Sequence, residues 1–140
     1  MVEIIDASGL IIGRLSTHVA KKLLGNKDLE VAIINSEKAI VSGSRKMVLN
    51  SYKGKRDLNH PRKGPYYPRL PDRILKRTIR GMLPYQQERG RNALKRVKVY
   101  IGKPKEFEGQ KSITVEKARN RGIDQFMELG EISRVLGAKI

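Results

Sequence analysis

The first residues whose types could do chemistry are two glycines between a predicted strand and a predicted helix. Gly9 and Gly13, followed by Arg14, stand where nucleotide-binding proteins place phosphate-cradling turns. A P-loop needs four residues between its glycines and then Lys and Ser or Thr, whereas this turn has three and then Arg14-Leu15. The dinucleotide fingerprint needs a third glycine and an acid near Asn35. We interpret the glycines as a tight turn, although amides there, with Arg14, could hold an RNA phosphate.

Other reactive residues are scarce. The chain has no cysteine, which excludes disulfides, zinc ribbons and thiol nucleophiles and fits a reducing compartment. His18 and His60 are isolated, and Glu106 and Glu108 stand in a Lys/Gly-rich loop without an evident partner. We therefore predict that the chain is not an enzyme and has no cofactor, no metal site and no small-molecule substrate. We also expect no signal peptide, and the sequence has no apolar run long enough to span a membrane.

Positive charge is the dominant feature of the sequence. The net charge is +16, with 30 Lys and Arg against 14 acidic residues. Between positions 45 and 105 stand 19 of those 30 bases but only three acids, so this segment carries the whole excess and both flanks are neutral. An ordinary solvated surface would interleave acids with the bases. The imbalance favours a polyanionic partner, namely a nucleic acid.

One predicted helix concentrates this charge on a single face. At 100° per residue, four bases fall within a stripe about 80° wide: Arg73, Lys76, Arg77 and Arg80. The opposite side carries the apolar residues Leu75, Ile79, Met82 and Leu83. Like charges at this spacing repel one another when the helix stands alone. The pattern indicates a helix seated on the core that presents four cations to phosphates.

The segment before that helix combines bases, prolines and two aromatic residues. Arg62, Lys63 and Arg69 surround Tyr66 and Tyr67 in a proline-rich loop. RNA could order such a loop, with Arg on a phosphate and a ring on a base or sugar. The tyrosines could equally be packing anchors, and the residues alone do not decide between these roles.

Periodicity and turn residues predict a single domain over residues 1–140. The expected strands cover 2–6, 30–35, 39–41 and 97–101. The expected helices cover 12–24, 45–56, Pro71 or Asp72 to about 83, 88–96, a short stretch near 116–119, and 126–136, with an exposed loop over 57–71. This order predicts an α/β fold: a small, mostly parallel sheet covered by helices, with a basic helix-loop-helix insertion.

Several segments resemble a known family in the same order along the chain. They are Asp6-Ala7 with Gly9 and Gly13-Arg14-Leu15, then 31–35 with Glu37-Lys38-Ala39, then 79–84 (Ile-Arg-Gly-Met-Leu-Pro), Gly90-Arg91 and 97–102 (Val-Lys-Val-Tyr-Ile-Gly). Over roughly residues 2–102 the chain is similar to the universal large-subunit ribosomal proteins of family thirteen. The start directly at the first strand, the loop sequence Tyr66-Tyr67-Pro68-Arg69 and the lack of a long helical tail resemble the archaeal branch.

The resemblance implies a three-layer α/β/α fold around a four-stranded, mostly parallel central sheet. It further implies a cytoplasmic, ribosome-bound structural protein that binds large-subunit ribosomal RNA, contacts neighbouring ribosomal proteins and supports subunit assembly, without a cofactor or a reaction. Charge alone leaves one alternative, a free RNA- or DNA-binding architectural protein outside the ribosome.

The RNA-facing segment is expected to be residues 45–105. The predicted RNA-binding residues are Arg45, Lys46, Lys53, Lys55 and Arg56 in the first basic helix, Arg62, Lys63 and Arg69 in the loop, Arg73, Lys76, Arg77 and Arg80 in the second helix, Arg89, Arg91, Lys95 and Arg96 in the next one, and Arg14 near the N-terminus.

Overall fold

The computed structural model describes residues 2–139, which form a mixed α/β fold, so the predicted fold class is confirmed. The strands are β1 (Val2–Asp6), β2 (Glu30–Ile34), β3 (Ile40–Ser42), β4 (Val97–Val99) and β5 (Phe126–Glu128). The α-helices are α1 (Ile12–Gly25), α2 (Arg45–Asp57), α3 (Pro71–Met82), α4 (Glu88–Lys95) and α5 (Leu129–Val135). Short 3-10 turns cover Ser36–Lys38, Lys105–Phe107 and Glu116–Ala118. No helix within residues 2–139 is both long and apolar enough to cross a membrane.

The central sheet is parallel, as predicted, but the prediction of four strands was wrong. In the described part of the chain it has three strands in the order β1-β2-β4. The place of a fourth strand beside β1 is taken by Ile113 alone, whose amide donates to Ile4 O (2.8 Å) and whose carbonyl accepts from Asp6 N (3.0 Å). The residues on both sides of Ile113 are exposed and do not alternate between buried and exposed positions as a longer strand would. Gly109, at φ +80°, also departs from the extended backbone of a strand.

The two faces of the central sheet are covered unequally. Alternate residues of β1 and β2, such as Ile5 and Ile33, point into the main core, which is shared with the helices. The other face buries Ile4, Ala32 and Ile34 under Tyr100 and Phe107, whose rings meet edge to face at 5.4 Å. The expected third layer is therefore supplied by the segment after β4 and its 3-10 turn, and no α-helical residue belongs to this smaller cluster.

A second, two-stranded sheet replaces part of the last predicted helix. β3 pairs antiparallel with β5, with Val41 opposite Met127. Met127 is buried while Phe126 and Glu128 are exposed, which is the two-residue alternation of a strand. The prediction of a helix over 126–136 was thus wrong for its first three residues, because their backbone pairs with β3 and the helix α5 begins only at Leu129.

Arg96 joins α4 to the end of α1. Its guanidinium donates to the carbonyl oxygens of Leu23 (2.9 Å), Leu29 (3.1 Å) and Asn26. The Leu23 carbonyl lies in the last turn of α1, where backbone acceptors lack helical partners and a positive charge is favourable, and the other two lie in the connection from α1 to β2. Arg96 therefore has a structural role in closing this helix.

The turn between α3 and α4 depends on a glycine. A Cβ atom at Gly90 would lie 1.9 Å from Pro84 O and 2.7 Å from Tyr85 N, so the backbone of the turn rests directly on α4. Gly81 offers a contrast, because a Cβ there would meet nothing within 4 Å.

We expect Gly90→Ala to lower the free energy of unfolding by about 3 kcal/mol or more, since the backbone must move to admit the methyl group. Gly81→Ala should instead leave stability unchanged or raise it by up to about 1 kcal/mol, because alanine favours the helix. Urea denaturation of both variants measures this, and equal stabilities would contradict the close packing at Gly90.

Replacing Arg96 tests its structural role. Arg96→Met removes charged donors from three carbonyl groups and should lower the free energy of unfolding by about 1.5–3 kcal/mol. Arg89→Met removes an exposed charge from the same helix and should change stability by less than about 0.5 kcal/mol. If thermal and urea unfolding do not separate the two variants, the carbonyl contacts of Arg96 contribute little.

Candidate nucleic-acid interface

Helix α3 presents its four predicted cations together. Pro71 occupies the first turn, where its missing N–H is harmless, and Ile74, Leu75 and Ile79 are fully buried. On the opposite side Arg73, Lys76, Arg77 and Arg80 line one shallow hollow of about 230 Å³ with Pro68 of the preceding loop and Leu94 of α4. The four residues of the helical stripe predicted from the sequence therefore lie on one face of α3 and border the same hollow. Met82, predicted on the apolar side, is instead 40% exposed and contacts Thr17 Oγ1 through its sulfur at 3.4 Å.

Helix α2 and the loop join this surface through an aromatic pair. The rings of Tyr52 and Tyr67 lie 6.1 Å apart. The ammonium of Lys55 lies 4.8 Å from the Tyr52 ring and 5.4 Å from the Tyr67 ring, while the guanidinium of Arg77 lies 5.6 Å from the Tyr67 ring. Cations from α2 and α3 thus meet on a single aromatic support. Burial raises the pKa of Tyr52 to about 12, so this ring adds no negative charge.

The loop between α2 and α3 assigns different roles to its two tyrosines. Tyr67 is half-buried and packs against the core, which makes it an anchor. Tyr66 is 61% exposed, and its hydroxyl donates to the carbonyls of Pro61 (2.8 Å) and His60 (3.2 Å) within the loop. The predicted loop cations Arg62, Lys63 and Arg69 are all exposed.

Little of the positive charge is neutralised inside the molecule. In the described chain, the ion pairs of predicted residues are Arg45 with Glu131 and Arg56 with Asp57, the latter at 2.9 Å. The other ion pairs, Lys22 with Glu3 and Arg119 with Glu116, lie outside the segment 45–105. We call this segment the cationic belt, and most of its charge has no internal counterion.

Four predicted residues border hollows other than the α3 hollow: Arg14, Arg89, Lys95 and Arg96. Arg89 and Arg96 border a larger hollow of about 420 Å³ between α1 and α4, beside Lys27 and Glu88. The guanidinium of Arg96 is already occupied by carbonyls, and Arg89 has a carboxylate in its neighbourhood. Arg14 lines a different hollow of about 240 Å³.

The hollow beside Arg14 is also lined by two lysines that were not among the predicted RNA-binding residues. Lys21 of α1 and Lys117, about a hundred positions further along the chain, line it together with Thr17 and His18. Burial lowers the pKa of His18, and the nearby charges of Lys22 and Lys117 lower it further against the opposing effect of Glu3. The seven-residue spacing of Arg14 and Lys21 places them on one face of α1, so the sequence could have indicated that these two cations lie together. No local signal in the sequence indicates that Lys117 joins them.

Three backbone amides of the glycine turn before α1 form hydrogen bonds within the fold. The amides of Gly9, Leu10 and Ile11 donate to the carbonyls of Lys38, Ala7 and Ala118 at 2.8–3.1 Å. Leu10 and Ile11 are also buried. These three donors are therefore engaged within the fold. No cluster of three or more His, Cys, Asp or Glu arranged to hold a metal ion occurs in residues 2–139.

Known proteins are similar in sequence to this chain over nearly its whole length. The large ribosomal subunit protein uL13 of Methanosarcina barkeri is 50% identical over 140 residues, and that of Methanosphaera stadtmanae is 48% identical over 143. The corresponding protein of Methanococcoides burtonii is 46% identical over 140 residues, and each of the three alignments covers 99% of both chains. The family model described as ribosomal protein L13 matches residues 1–106, which include α1 to α4. The chain therefore belongs to the ribosomal protein L13 family, and its curated relatives of this kind are mostly archaeal.

Proposed function

We propose that this chain is a structural constituent of the large ribosomal subunit and that its cationic belt binds large-subunit ribosomal RNA through phosphates. Relatives that match almost end to end are named as large-subunit proteins. The observation that carries the RNA part is the outer face of α3, where four cationic residues border one hollow that has no carboxylate among its lining residues. A negatively charged partner is the simplest counterpart to such a surface.

The geometry favours phosphate contacts that follow the shape of folded RNA. The exposed cations of α2, the loop and α3 are supported from below by buried apolar residues and by the Tyr52–Tyr67 pair. Arginine is frequent among them, and its planar guanidinium can bind a phosphate through two hydrogen bonds. Because the grooves of A-form RNA display little sequence information to side chains, such contacts recognise shape first. By holding RNA segments in place, the chain would support subunit assembly.

Family membership also bears on catalysis and location. The prediction that the chain is not an enzyme is confirmed, since the named relatives are ribosomal proteins. We propose the ribosome, with neighbouring large-subunit proteins and RNA around it, as the location of this chain. The alternative of a free architectural protein, which charge alone allows, receives no support from these relatives.

Phosphate contacts predict a steep dependence of binding on salt. If about eight of the predicted residues neutralise phosphates, log K should fall with log salt at a slope of about −6 to −7. Titration of large-subunit RNA over a range of KCl concentrations measures this slope. A slope shallower than about −2 would defeat the proposal.

Two variants that lose the same amount of charge, one inside the belt and one outside it, show which cations are responsible for the salt dependence of RNA binding. Changing Arg73, Lys76, Arg77 and Arg80 together to Gln should make the slope shallower by about 3 and weaken binding at low salt. Changing Lys27, Lys111, Arg121 and Arg134 together to Gln removes as much charge from exposed positions outside the belt and should change the slope by less than about 1. Equal effects of the two sets would show that net charge, and not the belt, governs binding.

A further inference from the structure

The turn between α3 and α4 forms a hollow without charged lining residues, so phosphate binding does not account for it. Leu83, Pro84, Tyr85, Gln86 and Gln87 line a depression of about 290 Å³ at the end of the cationic α3 stripe. Leu83 is buried below it, whereas Tyr85, Gln86 and Gln87 are exposed. Its lining is thus apolar and amide in character and contains no charged residue.

The turn is held in shape before any partner arrives. Tyr85 N donates to Leu83 O at 2.8 Å and Gln87 N donates to Pro84 O at 2.9 Å. The guanidinium of Arg91 in α4 donates to the carbonyl of Gln86 at 3.0 Å. The close approach of Gly90 to Pro84 fixes the turn against α4. A preorganised site loses little conformational entropy on binding.

The partly exposed ring of Tyr85 indicates which class of ligand the hollow could bind. The guanidinium of Arg80 lies 4.4 Å from the centroid of its ring, and 37% of the residue remains exposed. Arg80 lies over one face of the ring, and the part of the ring that remains exposed is a surface of the kind on which nucleic-acid bases stack. The two exposed glutamines next to it carry amides that can both donate to and accept from the edge of a base.

The charge around the hollow favours RNA as the source of that base. Arg80 and Arg91 flank it and belong to the cationic belt. The nearest acid along the chain is Glu88, which is exposed and borders the separate hollow between α1 and α4. A strand of RNA bound along α3 would therefore pass beside Tyr85 while its phosphates remained on cations.

We propose that this hollow binds a single unpaired nucleobase of the RNA, stacked on Tyr85 and contacted at its edge by Gln86 or Gln87. The inference rests on the proposed function, because the belt must first bring RNA to this site. A base held in an A-form helix is stacked between its neighbours and cannot enter the hollow, so the ligand must be a bulged, looped or terminal nucleotide.

Chemical probing of large-subunit ribosomal RNA of Methanosarcina barkeri, bound to the full chain, tests the proposal. Acylation of 2′-hydroxyls reports the mobility of each nucleotide, and hydroxyl radicals report protection of the backbone. With wild type and Tyr85→Phe, we expect an unpaired nucleotide within the backbone footprint to lose mobility on binding. With Tyr85→Leu that nucleotide should stay mobile while the backbone footprint persists. Leucine keeps an apolar side chain at a partly exposed position, so the fold should persist.

Affinity supplies a second readout from the same variants. Tyr85→Leu should weaken binding about 5- to 150-fold, which corresponds to the ~1–3 kcal/mol that stacking of one base contributes. Tyr85→Phe should stay within about twofold of wild type. Tyr66→Leu, which removes the other exposed tyrosine of the belt, should leave the immobilised nucleotide unchanged.

The outcomes separate the two proposals. Unchanged immobilisation with Tyr85→Leu, or its loss with Tyr66→Leu instead, would overturn the base site while leaving RNA binding intact. Absence of any backbone footprint with the wild-type chain would overturn the proposed function itself.

Discussion

Burial of the apolar side of α3 is the interaction on which its cationic face depends, because the cations on that face repel one another. Each like-charged pair at helical spacing costs about 0.2–0.5 kcal/mol. Burial of one large aliphatic side chain contributes about 1.5–3 kcal/mol, and α3 buries Ile74, Leu75 and Ile79 completely. The apolar side therefore outweighs the repulsion several times over. This margin lets the helix hold four cations together in the absence of RNA.

The same division between support and charge extends beyond α3. Tyr52 and Tyr67 place an aromatic pair beneath Lys55 and Arg77, so α2 and the loop share one surface with α3. Internal carboxylates neutralise few of these cations, because the acids of the chain lie mainly in its flanks. Sequence and packing are linked here, because the segregated charge rests on a packed apolar base, and under the proposed function the exposed charge meets RNA phosphates.

How much the sequence could predict depended on whether the signal was local. The face of α3 follows from helical periodicity, and the parallel arrangement of β1 and β2 follows from the strand-helix-strand order, so both were predicted correctly. Residues 126–128 adopt a strand only because β3 lies beside them, and the missing fourth strand reflects a segment that meets β1 at Ile113 alone. The contacts of Arg96 with α1 and the approach of Lys117 to Arg14 likewise depend on tertiary structure that no window of sequence contains.

The central claim, that the belt and not the flanks faces RNA, is tested most directly by lysine acylation read by mass spectrometry. The measurement compares the free chain with the chain assembled into large ribosomal subunits. We predict that Lys46, Lys53, Lys55, Lys63 and Lys76 react in the isolated protein, where all but half-buried Lys76 are exposed, and become protected in the subunit. Continued reactivity of these lysines in assembled subunits, with protection confined to flank lysines such as Lys27 and Lys111, would contradict it.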